Sequence, residues 1–252
     1  MKQLRILDPT LLSGQRSRVS CALAVMTKAP HAGRVKTRLV PPLTPEEAAE
    51  LNKCFLRDTV AAISSACSRS FGAKGIAVYT PVGTESVYTG LLSADFSLLA
   101  QRGDKFGDRL YFAVEDLFKC GFESVCLIDS DSPTVPAANF EHAAKVLMAP
   151  GDRLVLGPSD DGGYYLIGLK KPERRLFEQI DWSTERVFNQ TIQRANDIAL
   201  EVKLLPTGYD VDDEASLRRL RDELLKSESG SSNEVAPCTR KFLERLVERK
   251  KL

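Results

Sequence analysis

The stretch SVCLIDSDSPTVP, residues 124–136, decides the fold class. An apolar run heads into a protein interior and halts at Asp129 and Asp131, one residue apart, and Pro133 bars any continuation as a central strand. A strand that is apolar on both faces belongs in a covered, mainly parallel sheet. Two carboxylates about 5 Å apart repel by roughly 3 kcal/mol at an effective dielectric near 20, so a half-buried pair needs a cation, a proton or full solvation. Hard oxygen ligands at a strand end suit Mg²⁺ or Mn²⁺ bridging to a substrate phosphate. A plain polar turn, with Asp129 or Asp131 capping the next segment, is the alternative.

The same kind of apolar run recurs along the chain. Strands are expected over 21–27, 75–80, 96–101, 124–129, 153–158, 164–169 and 201–206, and helices over 44–67, 106–120, 136–148, 184–197 and 214–226. Thr44 is the expected N-cap of the first helix, with Pro45 in its first turn and Glu47 closing a capping box. Gly121 is placed to end the second. This alternation predicts an α/β fold with a mainly parallel central sheet and helices on both faces. The expected organisation is an N-terminal extension (1–19), one main domain (20–226), a mobile Ser/Gly-rich linker (227–236) and a basic C-terminal helix (237–252).

Composition narrows the function. The chain has 252 residues, 43% hydrophobic and 27% charged, with net charge +1, which is globular and gives no general reason to expect nucleic acid as a partner. Six cysteines without a CxxC pair read as reduced thiols, and two histidines without HExxH spacing leave little for zinc. The first residues are broken by Asp8, Pro9 and Gly14, unlike a signal peptide, and no apolar stretch approaches the roughly 20 residues of a membrane span. The expected location is the cytoplasm; the oligomeric state is left open.

Ligands of open α/β sheets gather at the carboxyl ends of the strands, so the loops there carry the chemistry. TKAPHAGRVKTRLVPP (27–42) holds Lys28, Arg34, Lys36 and Arg38 with no acid before Glu46, and Gly33 lets the backbone approach a ligand. Such a loop can hold phosphates, although it is neither a Walker loop nor GxGxxG; a solvated basic loop is the alternative. Its candidate substrate contacts are Lys28, Gly33, Lys36, Thr37 and Arg38.

GPSDDGGYYLIGL (157–169) sets Asp160 and Asp161 before two glycines, a sharp turn between strands. These two acids are the candidate catalytic residues, able to hold a sugar hydroxyl or act as general base, and Gly162, Gly163 and Tyr164 are further substrate contacts. Tyr164 and Tyr165 also read as packing residues, with at most one facing a pocket. GYDVDDEASL (208–217) adds Asp210, Asp212 and Asp213 ahead of a helix, one as its cap and the others as spare metal ligands. Trp182 reads either as core or as a lining of the acceptor side.

Together VMTKAPHAGRVKTRL, QRGDKFGDRL, IDSDSPTVP, GPSDDGGYYLIGL, DWSTERVFNQT and LPTGYDVDD resemble, in content and order from about Cys21 to Leu225, the DUF2064 family. Its members carry the label rSAM/selenodomain-associated transferase 1 or glycosyltransferase, and the family is similar to the GT-A superfamily of nucleotide-diphospho-sugar transferases. The resemblance implies a single-domain GT-A fold. It also implies that Asp131 takes the metal-binding place of a DxD-like motif, that Asp212 is the second metal ligand with Asp210 as substitute, and that Lys28, Lys36 and Arg38 are phosphate contacts. Asp129 stands where the family more usually has glycine, and DVDD followed by Glu214 replaces the more usual Asp-Thr-Pro.

The implied activity is a metal-dependent transfer from a nucleotide-activated substrate to a small-molecule acceptor, most simply glycosyl transfer from a nucleotide sugar. Nucleotidyl transfer with release of pyrophosphate, in the manner of phospholactate or molybdenum-cofactor nucleotidyltransferases, is the alternative. A nucleotide-binding module without turnover is a third reading, disfavoured by so many carboxylates at one sheet edge.

Overall fold

In a computed structural model describing residues 4–11, 21–70, 72–226 and 235–249, the seven apolar runs and one short edge strand form an eight-stranded sheet. Its strands are β1 (Arg5–Ile6), β2 (Cys21–Lys28), β3 (Ala73–Thr80), β4 (Ser97–Ala100), β5 (Val125–Ile128), β6 (Arg153–Pro158), β7 (Tyr164–Leu169) and β8 (Glu201–Leu204). The helices are α1 (Pro45–Arg69), α2 (Phe106–Lys119), α3 (Ala137–Met148), α4 (Val187–Asp197), α5 (Glu214–Lys226) and α6 (Pro237–Glu248). Most of the expected N-terminal extension and linker, and the last residues of the chain, lie outside the described residues.

The strand order is β1-β4-β3-β2-β5-β7-β6-β8. Only β7 runs against its neighbours: it pairs antiparallel with both β5 and β6, and every other pairing is parallel. The Asp-Asp-Gly-Gly turn makes β6 and β7 a hairpin, as its turn residues predict.

Alternation along the strands divides the core. Leu23, Val25, Ala77 and Ile128 face α1 and α3 through Leu56, Val60, Ile63, Phe140 and Leu147. Ala22, Ala24, Val78 and Leu127 face α2 and α4 through Leu110, Val114, Leu117 and Ala195. The doubly covered, mainly parallel sheet expected from the sequence is therefore present. All six cysteines are free, and no helix among the described residues is long and apolar enough to cross a membrane.

α1 starts as its sequence requires. The Thr44 side chain accepts the Glu47 N–H, and the Glu47 carboxylate accepts the Thr44 N–H. α6 is capped from a distance. Its own N-cap residue, Ala236, has no side-chain acceptor, and Asp58 on α1 supplies one, taking the N–H groups of Cys238 (3.0 Å) and Thr239 (2.8 Å). Asp58 is only 5% exposed, and the helices it joins, α1 and α6, share a third apolar cluster that includes Leu51, Phe55, Phe242 and Leu243. Asp58→Ala should therefore cost about 2–3 kcal/mol, because it strands two buried donors and removes a negative charge from a helix N-terminus. Urea unfolding with hydrogen exchange over α6 checks this; a loss below about 0.5 kcal/mol with α6 still protected would refute the capping role.

Candidate functional site

Strand order reverses at β2, which has β3 on one side and β5 on the other. Crevices open at such switch points, because the loops leaving the two strands depart in opposite directions. The basic loop after β2 and the Asp129–Asp131 loop after β5 flank this one. The segment after β8 is drawn across by backbone bonds: Leu205 N–H to Leu156 C=O (2.8 Å), Gly208 N–H to Pro158 C=O (2.8 Å) and Val211 N–H to Asp131 C=O (3.0 Å). Asp212 thereby arrives beside Asp131.

Between these two carboxylates stands Lys36. Its Nζ lies 2.9 Å from Asp131 Oδ1 and 2.9 Å from Asp212 Oδ1, and donates to Val211 C=O at 2.7 Å. The side chain is 4% exposed, and Phe55 presents its ring 5.5 Å from the ammonium. Burial works against the ammonium, but the charge of Asp131, and then of Asp212, prevails and raises its pKa. The backbone is also constrained: Lys36 is left-handed at φ 48°, uncommon for a residue with a Cβ, and leads into a 3-10 turn over Thr37–Leu39. Arg38 pairs with the other oxygen of Asp212.

Negative charge remains beyond what Lys36 and Arg38 neutralise. Burial, and then the charge of Asp131, pushes the Asp129 carboxyl well above the usual range, even though it accepts a hydrogen bond from Ser132 Oγ at 2.7 Å. Burial, with Asp161 and then Asp212, pushes Asp210 up to about 6. Both shifts come first from burial and then from neighbouring carboxylates, a combination that gathers at functional clefts.

Two cavities meet here. The first, about 410 Å³, is lined by Asp129, Asp131, Asp161, Asp210 and Asp212, together with Gly163, Tyr164, Tyr165, Trp182 and Phe106. The second, about 270 Å³, is lined by Lys28, Arg34, Lys36, Thr37 and Arg38, with Asn52 on its floor. They share Arg38, Asp131 and Asp212.

Most of the expected site residues are thus adjacent, with particular differences. Lys36 lines the basic cavity but points its ammonium at two carboxylates. Asp161 lines the first cavity, its Oδ1 accepting the Gly163 N–H at 2.8 Å. Asp160 turns away to pair with Arg219 of α5, whose guanidinium covers the Tyr209 ring. Gly33 is exposed and Gly162 is packed against Glu185, and neither lines a cavity; both Tyr164 and Tyr165 line the first, where the sequence predicts at most one, Tyr165 with its hydroxyl bonded to Pro206 C=O and Asn139. Asn52, Phe106 and Glu185 also reach the cavities, and no spacing in the sequence marks them.

Among the described residues no three His, Cys, Asp or Glu side chains are grouped closely enough to cage an ion. Magnesium is commonly bound by one or two carboxylates, with waters and substrate phosphates completing its shell. Asp131 and Asp212, already converging on one positive charge beside a cation-lined cavity, fit that mode of binding.

Residues 63–184 match the model of the family described as "Uncharacterized protein conserved in bacteria (DUF2064)", so the resemblance to that family holds over this segment. The crystal structure of a "putative nucleotide-diphospho-sugar transferase" from Desulfovibrio desulfuricans G20 superposes with a TM-score of 0.79 and 26% identity, covering 93% of this chain and 99% of that one. A nucleotidyl transferase from Methanothermobacter thermautotroptrophicus superposes with a TM-score of 0.52 and 16% identity over 82% of this chain and 98% of its own, a likeness of fold alone. No curated protein matches the chain. The fold is that of the nucleotide-diphospho-sugar transferases, GT-A in type, as the resemblance implies.

Proposed function

We propose that this protein is a metal-dependent transferase that takes a glycosyl group from a nucleotide sugar. The observation that carries the reading is the meeting of a cation-lined cavity and a carboxylate-lined one at Asp131, Asp212 and Arg38. The fold shared with the Desulfovibrio protein supports it. Lys28, Arg34, Thr37 and Arg38 would hold the diphosphate in the basic cavity, joined by Lys36 once its ammonium leaves the carboxylates. Asp131 and Asp212 would hold Mg²⁺ or Mn²⁺, with Asp210 and Asp129 in support, and the ion supplies positive charge to the leaving diphosphate.

In the first cavity Asp161 orients an acceptor hydroxyl and takes its proton as the acceptor oxygen bonds to the anomeric carbon. The carbon–oxygen bond to the diphosphate breaks, and the nucleoside diphosphate departs with the bonding pair. Asp160, held by Arg219, is better placed to fix this loop than to accept the proton.

A thermal-shift screen of nucleotides and nucleotide sugars, with and without Mn²⁺, tests the reading. A ligand at about a hundred times its Kd adds about 2.7 kcal/mol, or some 5–10 °C for a chain of this size. The expected hit needs Mn²⁺ and, with acceptor, yields nucleoside diphosphate. Release of pyrophosphate would replace glycosyl with nucleotidyl transfer. Binding that ignores EDTA and gives no product would leave only a binding module.

A further inference from the structure

The segment Trp182–Glu185, which lines the first cavity and abuts the turn that carries Asp161, is packed to tolerances that admit no extra atom. Trp182 leans on the start of α2, where a Cβ on Gly107 would lie 2.6 Å from the indole Nε1 and 2.9 Å from Phe177 C=O. Glu185 is pressed against the DDGG turn, where a Cβ on Gly162 would lie 2.2 Å from the Glu185 carbonyl oxygen. Gly162 C=O also accepts the Phe188 N–H at 2.8 Å. Between these fixed points Ser183 turns left-handed at φ 64°, and the Phe106 ring meets Trp182 edge-on, centroids 5.2 Å apart. Phe106 is nevertheless 53% exposed, an aromatic surface presented beside the cavity.

The charged side chains that line the first cavity are almost all of one sign. The five aspartates of the first cavity are joined by Glu185, and the one cation of the lining, Arg38, is engaged by Asp212. The lysines and the other arginine of the first loop line the neighbouring cavity. A donor-rich group with an apolar face suits such a cleft: carboxylates accept its hydroxyl or amine hydrogens while the rings cover its C–H surface.

Building on the transferase reading above, we propose that the cavity lined by Phe106, Trp182, Asp161 and Glu185 is an acceptor subsite for a non-anionic hydroxyl- or amine-bearing molecule, and that it discriminates against phosphorylated or carboxylated ones. An added anion meets Asp161 and Glu185, which stand outside both the Lys36 and Arg38 ion pairs and the proposed metal-holding set, and the charge of the bound diphosphate; a hydroxyl or an ammonium meets acceptors. This specificity favours a sugar, polyol or amine over a phosphate acceptor, and with it glycosyl over nucleotidyl transfer.

Trp182 is the chain's single tryptophan, so its emission reports on this subsite. The full chain, with Mn²⁺ and inorganic pyrophosphate in place of the nucleotide diphosphate, is titrated with glucosamine, methyl glucoside and glucose 6-phosphate. The first two are expected to change the emission, and glucose 6-phosphate to bind at least about tenfold more weakly than glucosamine. Glu185→Gln should narrow that gap about threefold without changing pyrophosphate affinity. Equal binding of the phosphate and the amine, or no response to any of the three, overturns the acceptor assignment. Pyrophosphate binding is followed separately by calorimetry. If pyrophosphate fails to bind with Mn²⁺, the transferase reading fails; if it binds and the probes are not discriminated, the acceptor assignment alone fails.

Discussion

Asp131→Ala is expected to abolish Mn²⁺-dependent nucleotide binding and to lower turnover on the order of a hundredfold or more, the scale seen when preorganised charge stabilisation is removed. Asp131 is the one carboxylate that touches Lys36, lines both cavities and carries the backbone carbonyl that anchors Val211. The substitution spares that carbonyl, so Asp212 stays in place. Stability should move little, within about 1 kcal/mol, because Asp131 is 34% exposed on its side chain. Losing the attraction to Lys36 is offset by relieving the like charge that bears on Asp129. Calorimetric titration with Mn²⁺ and nucleotide, beside a melting curve, checks both halves. Unimpaired metal-dependent binding, or a collapse of the fold, would make Asp131 a structural residue and remove the centre of the proposed site.

Lys36→Met should divide two affinities that ordinarily fall together. Methionine keeps an aliphatic stem near Phe55 but brings no charge. Affinity for a nucleoside diphosphate should drop by roughly ten- to a hundredfold, with little change for the bare nucleoside, because the lost contact is to phosphate. Affinity for Mn²⁺ alone should rise, because Asp131 and Asp212 lose the ammonium that now competes for their oxygens. Folding should weaken by about 1–3 kcal/mol, as two carboxylates are left facing one another without their cation. Lower Mn²⁺ affinity would show instead that the ammonium helps to build the ion's site.

Local chemistry carried much of the fold into view. The capping box at Thr44, the buried runs and the DDGG turn each depend on neighbours in sequence, and each lies where its residues imply. Strand order depends on distant pairing, so the insertion of β7 between β5 and β6 had no local signature. The two-residue strand β1, at the sheet edge and exposed, lacks the apolar run that reveals the others.

The candidate site divides in the same way. Its loops were legible because chemistry at strand ends is unusual, whereas the direction of each side chain was not. Asp160 and Asp161 are neighbours with opposite outcomes, decided by an arginine on α5. Lys36 reads from its loop as a phosphate contact, and only the approach of the segment after β8 makes it a bridge between carboxylates. The QRGDKFGDRL motif proves mostly architectural: Arg102 binds Asp116 and Glu115 and stacks on Phe112, while Gly107 makes room for Trp182.

The bond from Asp58 to the start of α6 ties the end of the chain to its first long helix. A molecule trimmed before Pro237 would lose more than a tail. It would bare the oily residues of α1 and α5 that Phe242, Leu243 and Leu246 cover, a scar that water wets poorly and that other trimmed copies would readily cover. Such shortened molecules should clump during purification, even with every residue of the proposed catalytic crevice intact.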